Sequence, residues 1–158
     1  MSRICAIDLD DSTLPPPTPE IEQERRVAIF DLLEENSFAL PPREGRAAEG
    51  PYALKLAIRD KRLVFDLRQQ AGDPAAEFHL SLGPFRQVVK DYFQICESYF
   101  SAVKTAAPSQ IETIDMARRG IHDEGARIVQ ERLEGKARID PGTARRLFTL
   151  ICVLHGGG

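Results

Sequence analysis

The residues best suited to chemistry lie together in the segment 115–127. On a helix, Asp115, Arg119 and His122 would share one face, because side chains three and four positions apart are neighbours. A histidine flanked by carboxylates could act as a general base or bind a metal ion. The same spacing also fits a row of salt bridges on a solvent-facing helix, so the pattern alone leaves both interpretations open.

Three pairs of adjacent arginines, Arg25-Arg26, Arg118-Arg119 and Arg145-Arg146, extend this pattern to other parts of the chain. If they converged from three helices they could bind a phosphate group or RNA, since a guanidinium can donate two hydrogen bonds to one anion. Acidic residues near each pair would account for them equally well through salt bridges. The candidate ligand or partner site comprises Arg118, Arg119, His122, Asp123, Arg127, Arg145 and Arg146.

Two glycines, Gly120 and Gly125, interrupt the helix that carries most of this site. Each weakens a helix interior by up to about 1 kcal/mol relative to alanine, and each would let another backbone or a ligand approach closely. We therefore expect the last helix, which bears Arg145 and Arg146, to cover this face and to form a partly buried ionic cluster with it.

Motifs of common catalytic and nucleotide-binding sites are missing from the sequence: it contains no Gly-x-Ser-x-Gly, Gly-x-x-x-x-Gly-Lys or Gly-x-Gly-x-x-Gly. The three histidines are scattered, at His79, His122 and His155, so we predict no catalytic residue, metal or cofactor. The favoured interpretation is a small non-catalytic interaction or regulatory module. The alternative is a small enzyme, or a protein that binds an anionic ligand such as phosphate, a nucleotide or RNA. A concave polar pocket would favour the alternative, and a convex or fully paired surface the module.

Composition limits the partners and the location. The 158 residues carry a net charge of −3 with no basic excess, which argues against nucleic acid as a partner. No apolar run approaches the ~20 residues that span a bilayer, and the first residues do not resemble a secretory signal. The three cysteines are far apart, which is typical of reduced thiols in a cytoplasmic protein. A protein partner or self-association is possible, and the oligomeric state stays open.

Hydrophobic periodicity predicts the element order β, α, β, β, β, α, α, α. Three runs within 52–82 alternate apolar and polar residues with period two, as in an antiparallel meander. We therefore predict an α+β fold in one domain, 1–158: an antiparallel sheet of about four strands, formed by an N-terminal strand and the meander, and packed on one face by about four helices. Exposed connectors are expected near 10–19 and 41–51, with a frayed C-terminus at 155–158.

The segment 81–103 has the most continuous apolar stripe and is predicted to be the central core helix. A helix over about 110–134 follows, with Ser109 and Glu112 as a capping box and Gly135 as its end. Thr18 is predicted to cap the first helix, and Asp140 and Pro141 are predicted to begin the last helix.

Several blocks of the sequence resemble an uncharacterised protein family of alphaproteobacteria. They are Glu-Gln-Glu-Arg-Arg-Val-Ala-Ile-Phe-Asp-Leu-Leu-Glu at 22–34, Leu-Ser-Leu-Gly-Pro-Phe-Arg at 80–86, Asp-Tyr-Phe-Gln-Ile-Cys-Glu-Ser-Tyr at 91–99, Ile-Asp-Met-Ala-Arg-Arg-Gly at 114–120 and Thr-Ala-Arg-Arg-Leu-Phe-Thr-Leu-Ile-Cys at 143–152. The resemblance covers nearly the whole chain. It implies a bacterial cytoplasmic protein and assigns no activity, cofactor or functional residue.

Overall fold

A computed structural model describes residues 2–12, 14–42 and 50–155 and confirms the α+β class. Four helices and a four-stranded sheet account for most of the described chain. In chain order the elements are β1 (Ile4–Leu9), α1 (Pro19–Glu34), β2 (Phe38–Ala39), β3 (Tyr52–Arg59), β4 (Arg62–Gln69), β5 (Pro74–Ser81), α2 (Gly83–Thr105), α3 (Pro108–Leu133), β6 (Arg138–Ile139) and α4 (Pro141–His155).

The main sheet is mixed, with strand order β1-β3-β4-β5. The prediction of a purely antiparallel sheet was wrong for β1, which pairs parallel with β3, Asp8 lying beside Lys55. Parallel neighbours require a crossover connection, and α1 lies within it. Residue periodicity identified β1 as a strand but contains no information on its direction.

The predicted meander is confirmed, since β3, β4 and β5 pair antiparallel in sequence. Asp60 and Lys61 form the first turn with φ values of 51° and 61°, both in the left-handed region, as a two-residue type I′ hairpin requires. Gly72, at φ 102°, lies in the second turn. One face of the meander is buried by Tyr52, Leu54, Leu56, Leu63, Phe65, Leu67 and Leu80.

Asn36 ties the first strand to the end of α1. Its side-chain carbonyl accepts a hydrogen bond from the Ile4 N–H (2.7 Å), and its amide donates to the carbonyls of Ile4 (2.9 Å) and Leu32 (2.7 Å). The side chain thus satisfies both backbone groups of Ile4 on the outer edge of β1. Its amide also donates to the carbonyl of Leu32, one of the helix-terminal carbonyls that would otherwise lack a partner.

The helix at the centre of the core is α4, and the prediction that 81–103 would be central was wrong. Nine residues of α4 are buried: Thr143, Ala144, Leu147, Phe148, Leu150, Ile151, Cys152, Val153 and Leu154. It packs against α1, α3 and β3. The first half of α2 is buried as predicted, but farther along Tyr99 is partly exposed and Val103 is 52% exposed. There α2 packs chiefly against α3. The continuous apolar stripe of α2 therefore faces the core over its first half and a neighbouring helix over its second half.

Helix termini follow the predicted caps in most cases. The Thr18 hydroxyl accepts from the Ile21 N–H (3.2 Å), and the Asp140 carboxylate accepts from the Thr143 N–H (3.0 Å). Gly135 follows α3 with φ 79°. The Ser109 capping box was wrong, because α3 begins at Pro108 and Ala107 is its N-cap.

Part of the predicted domain organisation concerns residues that the structure does not describe. Residues 43–49 of the expected connector and residues 156–158 of the expected frayed terminus lie outside the described ranges. Among the residues that are described, no helix is both long enough and apolar enough to cross a bilayer.

Candidate functional site

A cleft of about 540 Å³ lies over α4, between α1 and α3. This volume is within the range typical of small-molecule sites. The cleft is lined by Gln23, Glu24, Val27, Ala28 and Asp31 of α1, Tyr92 of α2, Arg118, Arg119, His122 and Asp123 of α3, and Arg145, Arg146 and Thr149 of α4. Six of the seven predicted site residues are therefore brought together on one concave surface.

The close packing of α3 on α4 depends on Gly125. A Cβ atom at this position would overlap the ring of Phe148, so only glycine lets the ring reach the α3 backbone. The expectation of a close approach is confirmed here and wrong at Gly120, where no atom lies within 4 Å of the place a Cβ would occupy. The contact at Gly125 places the Arg145-Arg146 end of α4 beside His122.

His122 forms part of the cleft and is largely buried. Its Nε2 lies 2.8 Å from the Thr149 hydroxyl, and its ring packs edge-on against Tyr92 and Phe148, with centroids 5.3 and 5.2 Å away. Burial lowers the pKa of His122 to about 4; the Asp123 carboxylate opposes this shift, and the nearby Arg118 and Arg145 charges add to it. The imidazole is therefore neutral at physiological pH.

The Thr149 hydroxyl links His122 to the α4 backbone. Thr149 Oγ1 also lies 3.3 Å from the Arg145 carbonyl, an acceptor to which the hydroxyl donates. Its remaining capacity is then to accept from the Nε2–H of His122, which leaves Nδ1 of the neutral ring as an acceptor. His122 therefore presents Nδ1 as a hydrogen-bond acceptor and adds no positive charge to those of the arginines.

Arg118 and Arg119 are both held by Asp115. Arg118 donates to one carboxylate oxygen at 2.6 Å, and Arg119 donates through Nε to the other at 3.0 Å. These hydrogen bonds keep the pKa of Asp115 below its ordinary value. The Arg118 guanidinium also stacks over the Tyr99 ring, 4.8 Å from its centroid. The two arginines are thus fixed at the cleft wall, with their charges partly neutralised.

Arg145 and Arg146 on α4 are in a different situation. Among the described residues, the exposed guanidinium of Arg145 has no hydrogen-bond or ion-pair partner. Arg146 is half-buried and donates through Nη1 to the Gly142 carbonyl at 2.9 Å, while its buried Nε has no partner among the described residues. A buried donor without a partner costs about 1–3 kcal/mol, which applies to Arg146 Nε. The exposed Arg145 guanidinium is free to bind a ligand because no described residue occupies it.

Carboxylates line the cleft as well. Glu24 accepts a hydrogen bond from the Tyr92 hydroxyl at 2.9 Å, and its burial raises its pKa, which this hydrogen bond partly offsets. Asp31 and Asp123 also line the cleft, and neither side chain forms an ion pair with a described residue. The cleft thus offers acceptors alongside its arginines, and the expected ionic cluster between α3 and α4 was wrong: the strong pairs of α3 lie within α3.

Two of the predicted arginine contributions lie elsewhere. Arg127 points away from the cleft and pairs with Glu124 and Glu131, both at 2.6 Å, rather than with Asp123. Arg25 and Arg26 pair with Asp11 and Glu22, at 2.6 and 3.3 Å, and do not line the cleft.

Sequence reasoning did not assign seven residues of the cleft to the site: Gln23, Glu24, Val27, Ala28, Asp31, Tyr92 and Thr149. Tyr92 was assigned to the core by its apolar spacing, which is right for its ring but does not reveal the position of its hydroxyl. Thr149 could have been found, because it lies four positions after Arg145 and three after Arg146 on one helical face.

Comparison with known proteins identifies the family of this chain. A family model described as an uncharacterised protein family, UPF0262, matches residues 1–156. The chain belongs to this family. The UPF0262 proteins of Ruegeria pomeroyi and Roseobacter denitrificans are each 78% identical to it over the full length of this chain, covering 99% and 100% of their own lengths. That of Paracoccus denitrificans is 71% identical over 99% of this chain and 97% of its own.

The resemblance to an uncharacterised family of alphaproteobacteria is therefore confirmed. The names of these UPF0262 relatives state no activity, ligand or partner. No solved structure gives a significant match to the chain. Any statement about function consequently rests on the chemistry of the cleft.

Proposed function

We propose that this protein is a ligand-binding module whose cleft takes a small organic anion that also carries hydroxyl or amino groups. The observation that supports this most is the pair Arg145 and Arg146, which face a concave surface with hydrogen-bonding capacity that the described residues leave unused. A planar guanidinium binds a carboxylate or phosphate through two parallel bonds. The ligand's anionic group would lie here.

The rest of the cleft defines the remainder of the ligand. Asp31, Asp123 and the neutral His122 offer acceptors, which suit hydroxyl or amino groups and would repel a second anionic group. Val27, which is 47% exposed, supplies apolar contact area. A single anionic headgroup attached to a polar body, as in a sugar phosphate or an amino acid, matches this distribution better than a polyanion such as RNA.

We propose binding without catalysis, because the groups in the cleft are arranged to hold rather than to react. His122, with its pKa lowered to about 4, is a weak base at neutral pH. The thiols of Cys96 and Cys152 are poor nucleophiles for a related reason: both are buried, and burial raises the pKa of Cys96 to about 11. A cytoplasmic, regulatory role is in keeping with three free thiols.

The proposal is tested by titrating the labelled protein with inorganic phosphate at constant ionic strength and recording the arginine side-chain resonances by NMR. We expect the Arg146 Nε–H signal to shift in a saturable manner, and Arg145→Ala to weaken binding at least about tenfold. Arg127→Ala is the matched control, since Arg127 lies on α3 outside the cleft and should leave the titration unchanged. Titrations with glucose 6-phosphate and with glucose then show whether binding requires the anionic group, the hydroxyl groups or both.

Equal loss of binding in Arg127→Ala and Arg145→Ala would mean that phosphate binds non-specifically, through the overall positive charge of the surface. The proposal would then fail. It would also fail if none of the arginine resonances moved with phosphate or with glucose 6-phosphate.

A further inference from the structure

We propose that two copies of this chain associate through strand β5, whose antiparallel pairing about a two-fold axis would join the two sheets into one of eight strands. This inference is independent of the cleft, which is built from the helices. It rests on the hydrogen-bonding edge of β5 and on the charges along it.

The two edges of the sheet differ. The outer edge of β1 is occupied at Ile4 by the Asn36 side chain, which satisfies both backbone groups there. β5 pairs only with β4, and among the described residues no backbone or side-chain group bonds to its outer edge. An eight-residue edge strand with free N–H and C=O groups is a template for another strand.

The pairing pattern identifies which residues present these groups. In the two-residue hairpin at Asp60-Lys61, Arg59 and Arg62 form the hydrogen-bonded pair, so even-numbered residues of β4 bond to β3. Odd-numbered residues of β4 then bond to β5, where their partners are Ala76, Phe78 and Leu80. The backbone groups of Glu77, His79 and Ser81 consequently point away from β4.

Charge selects the register of the proposed pairing. With the two-fold axis at Phe78, Glu77 of each copy lies opposite His79 of the other, and the two positions form hydrogen-bonded backbone pairs. A shift to either side would place two glutamates or two histidines opposite each other, which is unfavourable when they are charged. Both side chains are well exposed, Glu77 at 56% and His79 at 43%, and they already contact each other within one strand at 3.2 Å.

Phe78 would strengthen the same register from the other face. Its ring stacks on Phe65 with centroids 5.1 Å apart, and it is only partly buried in a single copy. The axis would bring the two Phe78 residues into a non-hydrogen-bonded pair, where facing side chains are closest. The outcome is a continuous aromatic row, Phe65-Phe78-Phe78-Phe65, across the joined sheet.

The edge lacks the usual protection of a monomeric protein. Proteins commonly block edge strands with lysine, proline or a bulge. In β5 the proline and the register shift lie at its start, near Pro74, and the stretch from Ala76 to Ser81 contains neither proline nor lysine. The open segment thus coincides with the proposed pairing.

Sedimentation velocity of the full chain at micromolar concentration provides the test. We expect a species of twice the 17.6 kDa chain mass. His79→Glu would place two glutamates opposite each other at both symmetric positions and should raise the dissociation constant about tenfold. The double variant Glu77→His/His79→Glu restores opposite types and should return it close to that of the wild type.

Glu77→Pro tests the backbone directly, since the Glu77 N–H faces outward and its loss should not disturb β4. We expect a folded monomer, with circular dichroism as the check on folding. A wild-type monomer at micromolar concentration would overturn the proposal, as would a dimer in which neither His79→Glu nor Glu77→Pro changes the dissociation constant. Failure of the double variant to recover would overturn the register.

Discussion

Gly125 of α3 faces the ring of Phe148 of α4 so closely that a methyl group on the glycine would overlap three of the ring's carbon atoms. Gly120, five residues earlier in the same helix, is exposed and has open space around it. The two glycines therefore form a matched pair for testing how α3 is positioned.

Gly125→Ala is expected to destabilise the protein by about 1–3 kcal/mol, because the added methyl forces Phe148 or the helix to move. Gly120→Ala is expected to stabilise it by up to about 1 kcal/mol through helix propensity alone. Urea unfolding of the two variants measures both free energies. A stabilising Gly125→Ala would contradict the packing described for the α3–α4 contact.

Because His122 is neutral in the folded protein, we expect the free energy of unfolding to depend on pH. Its pKa is about 4 in the folded protein and near 6.5 in the unfolded chain, so between these values the unfolded state binds more protons. Stability contributed by this residue is present above pH 6.5 and is lost as the pH falls towards 4, to a total of about 3 kcal/mol. His122→Gln should remove this contribution.

The measurement is the free energy of unfolding of the wild type and His122→Gln across that pH range. The difference between the two curves isolates His122 from the carboxyl groups, which titrate in both proteins. Parallel curves would show that His122 is protonated as readily in the folded state as in the unfolded chain.

Arg119 is expected to contribute little to stability. Its side chain is 70% exposed and pairs with Asp115, which keeps a second partner in Arg118. Arg119→Ala should cost no more than about 1 kcal/mol, as for other surface ion pairs. Urea unfolding at low and high salt gives the value; a loss above about 3 kcal/mol would indicate the buried ionic cluster that the sequence pattern favoured.

Removing the Asn36 side chain should be more costly. Asn36→Ala deletes three hydrogen bonds and leaves the N–H of Ile4, a fully buried residue, without its partner. We expect a loss of about 1–3 kcal/mol. Gln87→Ala, which deletes an exposed hydrogen bond to Asp91 on α2, is the control and should change stability by less than about 0.5 kcal/mol. Equal losses of stability in Asn36→Ala and Gln87→Ala would mean that the Asn36 hydrogen bonds do not hold β1 to α1.

The sequence predicted what depends on local pattern. Alternation of apolar residues identified β3, β4 and β5, and capping chemistry at Thr18 and Asp140 identified the starts of α1 and α4. The direction of β1 depends on a contact with residues about fifty positions away, which no local pattern reports. The short strands β2 and β6, two residues each, are too brief to produce a periodic signal.

The candidate site shows the same division. Spacing along α3 grouped Arg118, Arg119 and His122, and the last helix was expected beside them. Which charges would be paired could not be predicted, because Arg127 has acidic neighbours on both sides and its rotamer decides between Asp123, Glu124 and Glu131. The burial that lowers the pKa of His122 comes from Tyr92 and Phe148, on two other helices.

The parallel pairing of β1 with β3 has a consequence for biosynthesis. β1 leaves the ribosome before β3, its neighbour in the sheet, which begins only at Tyr52, so the strand has no partner while the intervening residues are translated. The β3–β4–β5 meander needs only short loops and can form as soon as it emerges, whereas β1 must wait for a long loop to close. We expect β1 to join an already formed meander while hydrogen bonds from Asn36 hold it to the end of α1.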